Sequence, residues 1–161
     1  MTPEMERTEL IARESIRALL AAYTWAGDRG RSGAVAACFT ADGVLDVGAH
    51  GGTWEGRAAI EAELEAVAER VAASGDAPTR VNHHVSSIDI ELRDPTSARV
   101  RSYFCVYTET GADHWGSYRD DVVLDAADGG WRFARRTVRV TGTAPGSRFA
   151  ADLAPEGPPP G

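Results

Sequence analysis

The sequence predicts an α+β domain, with helices first and then consecutive long strands, whose strongly bent antiparallel sheet wrapped over the helices would enclose a cavity. Three observations carry this prediction. Apolar residues recur at helical spacing in two early segments. Four long segments with strand-like patterning fill the second half. The turns between them hold Asp94-Pro95, Gly111 and Asp128-Gly129-Gly130, residue types suited to tight connections.

The first helix starts at Thr2-Pro3, because proline is tolerated in a first turn, and it ends near Gly27. Its Ile16, Leu19, Leu20 and Tyr23 form one apolar stripe. A short helix over residues 34–39 follows, then a turn at Ala41-Asp42-Gly43 and a short strand over 44–47. Residues 48–52 read as a loop or hairpin tip. The next helix covers 56–73, with Ile60, Leu64, Val67 and Val71 on one face, and residues 74–78 break it. Strands are expected over 80–92, 98–108, 113–125 and 130–141. One domain spans 1–142. Residues 143–161 form a Pro/Gly/Ala-rich tail, expected to lack fixed structure at least in its last ten residues. Phe149 and Leu153 are the residues that would dock it on the body or on a neighbouring subunit.

A chain of 161 residues is long enough to bury one sizeable core. The net charge of −7 argues against nucleic acid and against a polybasic membrane surface as partners. Cys38 and Cys105 stand far apart and read as small apolar core residues rather than a disulfide or a metal framework. Glu4, Glu6, Arg7, Glu9, Arg13 and Glu14 interrupt any N-terminal apolar run, so no signal peptide is expected. No segment approaches the roughly 20 apolar residues that span a bilayer. The cytoplasm is the default address.

Alternation along the strands nominates cavity-facing groups. In the 80–92 segment, His84 shares a face with Ser86, Ile88, Ile90 and Leu92, while Val81, His83, Val85, Ser87 and Asp89 share the other. The first set turns apolar, so His84 is the inward histidine and His83 faces the other way; a bulge would invert this. In the last strand, Ala134, Arg136, Val138 and Val140 share a face that is apolar except for Arg136. A buried guanidinium needs a carboxylate or an anionic ligand. Asp120 can supply the carboxylate, and Tyr118 on the same face as Asp120 can present a hydroxyl to the cavity. Asp28 sits at a helix C-terminus, where the dipole disfavours a negative charge. Its bland explanation is Arg29 beside it.

The run Tyr23-Thr-Trp-Ala-Gly-Asp28, the Asn82-His83-His84-Val85-Ser86 strand and the closing Trp131-Arg-Phe-Ala-Arg-Arg136-Thr-Val-Arg139-Val resemble SnoaL-like members of the nuclear-transport-factor-2 superfamily. They look nearest to the scytalone dehydratase, hexachlorocyclohexane dehydrochlorinase and bile-acid dehydratase group. The resemblance covers roughly residues 7–140 and implies a cone-shaped barrel, a strongly bent mixed or antiparallel sheet wrapped around the N-terminal helices. It implies a helix-end Asp that orients a strand His, with the His removing a proton while a leaving group departs. Asp28 and His84 fall on those positions. Arg136 matches the last-strand Arg counted from Trp131; counted through the strand's end, Arg139 would match instead. Tyr23 matches a helix Tyr. The chain departs from the pattern at Gly27, and it offers Ser102, Tyr103 or Phe104 where a second pocket His stands in the scytalone enzyme. Relatives form dimers or trimers through the open sheet face, here Arg101, Tyr103, Cys105 and Tyr107.

The sequence therefore points to a cofactor-free elimination or isomerisation of a small hydrophobic ring-containing molecule. Asp28, His84 and Arg136 are the catalytic candidates. Tyr23, Phe104, Tyr118, Asp120 and Val138 are the substrate-binding candidates. No metal is expected: the Asp113-His114 pair lacks a third ligand at useful spacing. His50, in a glycine-rich loop, is expected to face solvent. Two alternatives stay open: an epoxide hydrolase or polyketide cyclase on the same cone, and a non-catalytic ligand-binding or assembly module.

Overall fold

The computed structural model describes residues 2–49 and 51–149. It contains α1 (Pro3–Asp28), α2 (Ser32–Ala36), β1 (Phe39–Gly48), β2 (Gly52–Glu55), α3 (Arg57–Ala73), β3 (Asn82–Asp94), β4 (Ser97–Thr108), β5 (Gly111–Leu124) and β6 (Trp131–Thr143). One six-stranded sheet has the order β2-β1-β6-β5-β4-β3. All neighbours are antiparallel except β1 and β6, which run parallel. The sheet is mixed and open, and it curls over the helices as an α+β cone.

Helix α1 packs through Ala12, Ile16, Leu19, Leu20 and Ala26, all buried, as the apolar periodicity requires. Ile60 anchors α3, and Leu64 and Val67 pack beside it. The main core gathers these helix faces with Phe39, Leu45, Val100, Val122 and Phe133 from the sheet. A second cluster of Phe104, Val106, Tyr118 and Val140 lies along the β4–β6 surface, with Val81, Val85 and Val138 packed against it.

The structure departs from the sequence reading around β1. Residues 41–43, read as a turn, lie within a ten-residue strand whose pairing with β6 shifts between Phe39 and Val44. That irregularity is where turn-like residues fit inside a strand. The four-residue β2 was not anticipated; it is too short to carry a periodic signal. His50 and Leu153 lie outside the described residues. Of the supposed tail, Thr143 ends β6 and residues 144–149 are held against the body. The Ala144 amide donates to the Asp113 carbonyl at 2.7 Å. Residues 150–161 also lie outside the described part.

Two bulges decide which side chains face the interior. In β3 the pairing with β4 shifts between Ser86 and Asp89, and Ser87 takes a φ of 51°. The extra residue switches strand parity there. His83 and Val85 before it therefore share the inner face with Ile88, Ile90 and Leu92 after it. In β6 the shift at Ala134, opposite Asp121 and Val122, lets Trp131 and Phe133 face inward together with Arg136, Val138 and Val140.

Candidate functional site

Between the curled sheet, α3 and the C-terminal end of α1 lies a cavity of about 560 Å³. That is within the usual range for small-molecule sites. Its walls are mainly apolar: Val47, Trp54, Leu64, Val67, Val71 and Val140 contribute, together with Tyr23, Phe104, Tyr118 and Val138. The ionisable groups on this lining include Asp28, His83 and His114.

Asp28 ends α1 and reaches β3. Its carboxylate accepts the His83 ring Nδ1 at 2.6 Å and the His83 backbone amide at 3.1 Å and 3.2 Å. The Asp28 side chain is 9% exposed and that of His83 is 27% exposed. The carboxylate that the helix dipole disfavours is thus held by the first residues of a neighbouring strand. With Nδ1–H donated to Asp28, the neutral imidazole keeps Nε2 as an acceptor.

The inward histidine is therefore His83 and not His84. His84 is exposed and packs its ring 4.7 Å from that of Tyr107. The physical reason is the bulge at Ser87, which inverts the parity from which His84 was nominated.

Arg136 is also corrected. It is 1% exposed, and its Nε and Nη2 donate to the two Asp120 oxygens at 2.9 Å and 2.7 Å. Its guanidinium lies 4.1–4.2 Å from the ring centres of Tyr23, Tyr118 and Phe133. Neither Arg136 nor Asp120 belongs to the cavity lining. The pair sits behind the two tyrosines, because a buried charge is best satisfied by a bidentate carboxylate and aromatic faces. Arg139 is on the opposite face, where it holds Asp46 at 3.0 Å. Burial, the largest influence on both phenols, raises the pKa of Tyr23 and of Tyr118. Both stay protonated at ordinary pH as hydrogen-bond donors.

The sequence reading weighed Asp113 and His114 only as a metal pair, and it did not foresee that the two side chains bind each other. The His114 Nδ1 meets the Asp113 carboxylate at 2.7 Å, and Asp113 is 2% exposed. Adjacent strand residues normally face opposite sides, which hid the pairing. Here the β4–β5 register shifts between Val106 and Tyr107, opposite His114 and Ala112, and leaves Asp113 as the extra residue. The same carboxylate accepts the Ser147 hydroxyl and the Arg148 amide, each at 2.7 Å. Phe149 then packs edge-on against His114 at 5.3 Å and joins the cavity lining. No cluster of three or more metal-ligating residues occurs among the described residues. No described helix is long and apolar enough to cross a membrane.

The α+β cone with its mostly apolar cavity is that of a small-molecule-binding or enzymatic protein of the nuclear-transport-factor-2-like kind. Residues 8–137 match the SnoaL-like domain family, and the chain belongs to it. Among solved structures, the chain is similar to a proposed scytalone dehydratase from Novosphingobium aromaticivorans. That likeness has 28% identity and a TM-score of 0.72, covering 86% of this chain and 90% of the other. It is also similar to Rv3472, a protein of unknown function from Mycobacterium tuberculosis, with 29% identity, a TM-score of 0.68 and coverages of 81% and 77%. LinA shares the fold, with a TM-score of 0.72 over 96% and 99% of the two chains at 17% identity. None of the curated proteins matches the sequence.

Proposed function

We propose that the chain is a cofactor-free acid–base enzyme that eliminates a leaving group from, or isomerises, a small hydrophobic ring-containing molecule. His83 is the base. The carrying observation is the 2.6 Å Asp28–His83 contact in the wall of the apolar cavity. Asp28 fixes the tautomer with Nε2 toward substrate and stabilises the imidazolium as the proton arrives. The Tyr23 and Tyr118 hydroxyls are the donors available to an oxygen that gains charge during proton abstraction. Arg136 and Asp120 act through these rings as positioning residues. The activity proposed for one similar protein, scytalone dehydration, belongs to the same reaction class.

The test uses a β-hydroxy ketone, 4-hydroxy-4-phenylbutan-2-one, in D2O. The intact chain should exchange the proton beside the carbonyl and release the conjugated enone, followed by NMR and near-ultraviolet absorbance. His83→Gln should lose both activities, whereas His84→Gln should keep them. If His83→Gln exchanges and eliminates as fast as the intact chain, His83 is not the base.

A further inference from the structure

We propose that Arg31 and Arg70 form an anion subsite at the rim of the cavity, so that the natural substrate is a ring-containing acid whose carboxylate stays at the mouth while its apolar ring enters. This names the substrate class of the acid–base reading, and it rests on that reading only for the chemistry at the inner end of the molecule.

Histidines aside, the charged side chains on the cavity lining are Asp28, Arg31 and Arg70. Asp28 is engaged by His83. Arg31 and Arg70 are exposed residues of that lining, which puts them at its rim. Neither guanidinium has a hydrogen-bond, ion-pair or ring partner among the described residues. The chain carries 24 acidic residues against 17 basic ones, so the two do not stand unpaired for want of carboxylates.

Their isolation is built into the elements that carry them. Helix α3 holds Glu61, Glu63, Glu65 and Glu69, and all of them miss the positions three or four residues away that would pair with Arg70. Arg31 is set by the end of α1. Gly30 takes the left-handed φ of 63° that closes the helix, and the Arg31 amide donates back to the Ala26 carbonyl at 3.0 Å. Arg31 therefore stands just beyond Asp28, on the same lining. The acids nearby go elsewhere. Asp76, after α3, is bound by Arg148, and the Glu61 carboxylate lies against Gly33 and pairs with neither arginine. In a chain of net charge −7, this rim is locally positive.

The interior fixes what the rest of the ligand must be. Behind the rim the walls are the apolar side chains of Val67, Val71 and Val138 and the rings of Tyr23, Phe104 and Tyr118. A carboxylate sent that deep would lose its water with no cation to replace it, because Arg136 is taken up by Asp120. At the rim it keeps part of its hydration and gains charge-assisted hydrogen bonds from two guanidinium groups. Two solvated arginines on unrelated surfaces would imply no ligand; these two border one cavity from different elements. An acid anchored there also presents one chosen end of its ring system to His83, which spends binding energy on orientation.

The test separates binding from turnover. Naphthalene-2-carboxylate and naphthalene-2-carboxamide have nearly the same shape, differ in charge and carry no leaving group. Titration calorimetry on the full chain at low ionic strength should show the carboxylate binding about tenfold more tightly, the scale of two partly exposed ion pairs. Added salt should shrink the preference. Arg31→Gln combined with Arg70→Gln should abolish it by weakening the carboxylate alone, in a variant that still melts cooperatively because neither side chain has a partner to lose. Arg119→Gln, which removes an exposed charge from the outer sheet face, should leave the preference in place. In turnover, 4-(1-hydroxy-3-oxobutyl)benzoate should have a lower KM than its methyl ester, and the arginine double variant should remove that advantage while leaving kcat unchanged. No carboxylate preference in the intact chain, an undiminished preference in the double variant, or an equal fall for acid and amide would overturn the subsite; with turnover still lost in His83→Gln, the acid–base reading would stand without it. A carboxylate preference that depends on both arginines, in a chain whose turnover is indifferent to His83→Gln, would overturn the acid–base reading and keep the subsite.

Discussion

Asp28→Asn isolates the contribution of one charge at nearly constant shape. The carboxylate accepts the His83 ring at 2.6 Å and the His83 amide at 3.1 Å and 3.2 Å. An asparagine has one acceptor oxygen. Its amide group then turns donor hydrogens toward the His83 backbone N–H or, flipped, toward ring Nδ1. In the second orientation the ring is forced into the tautomer with its proton on Nε2, which cannot accept a proton from substrate. In the first, the ring keeps its tautomer but loses the charge that stabilises the imidazolium. A hydrogen bond to a charged group is worth about 1.5–3 kcal/mol, so about 10- to 150-fold in rate goes with the charge alone. The wrong tautomer adds to that. The expected result is a fall of about 10²–10⁴ in α-proton exchange of 4-hydroxy-4-phenylbutan-2-one, the span of general acid–base help. Thermal unfolding should show a modest loss, because the bonds that tie α1 to β3 are weakened rather than removed. Exchange within about threefold of the intact chain, in a variant that melts cooperatively, would refute the dyad, since general acid–base help is normally far larger than that.

Three further outcomes follow from the geometry. Arg136→Met leaves Asp120 buried without its partner and should cost about 3–5 kcal/mol in denaturant unfolding, while adding Asp120→Leu should recover much of the loss. The pKa of Asp113 is lower in the fold than in the unfolded chain, so its bonds stabilise fully above the ordinary carboxylate range. That contribution is lost as pH falls through the lowered value. Exchange of the Arg148 amide should therefore accelerate in acid relative to β6 amides, an acid response that Asp113→Asn removes. Tyr103 is 62% exposed on the outer sheet face beside Arg101 and Tyr107, the surface that the family resemblance nominates for contact between copies. Tyr103→Glu should lower the sedimentation mass if that face holds a dimer or trimer, and an unchanged mass would move the contact elsewhere.

Much of the fold was legible in local pattern. The stripe Ile16, Leu19, Leu20, Tyr23 and the four long strands needed only the periods of helix and strand, and the elements lie within a few residues of where the periodicity puts them. The site was legible by kind rather than by residue. Asp28 could be singled out because its place at a helix end is electrostatically poor. Tyr118 and Val138 could be placed in the lining because alternation holds over the strands that carry them, whereas Tyr23 and Phe104 came from positions matched to the resembling family.

Sequence by itself determined the helix stripes, the strand-rich second half and the set of polar groups from which a site would be made. The tertiary structure decided which of them meet. Period-2 reasoning fails by one residue at each bulge, and one residue is the whole difference between His83 and His84. The bulge at Ser87 depends on pairing with β4 across the sheet, and the extra residue at Asp113 depends on the same strand. Arg136 was placed inward correctly, but whether it faces ligand or carboxylate was settled by Asp120 on the neighbouring strand and by rings drawn from α1, β5 and β6. The 144–149 segment that fastens Asp113 reads in sequence as a flexible tail, because its order comes from partners 34 and 35 residues away rather than from any period of its own.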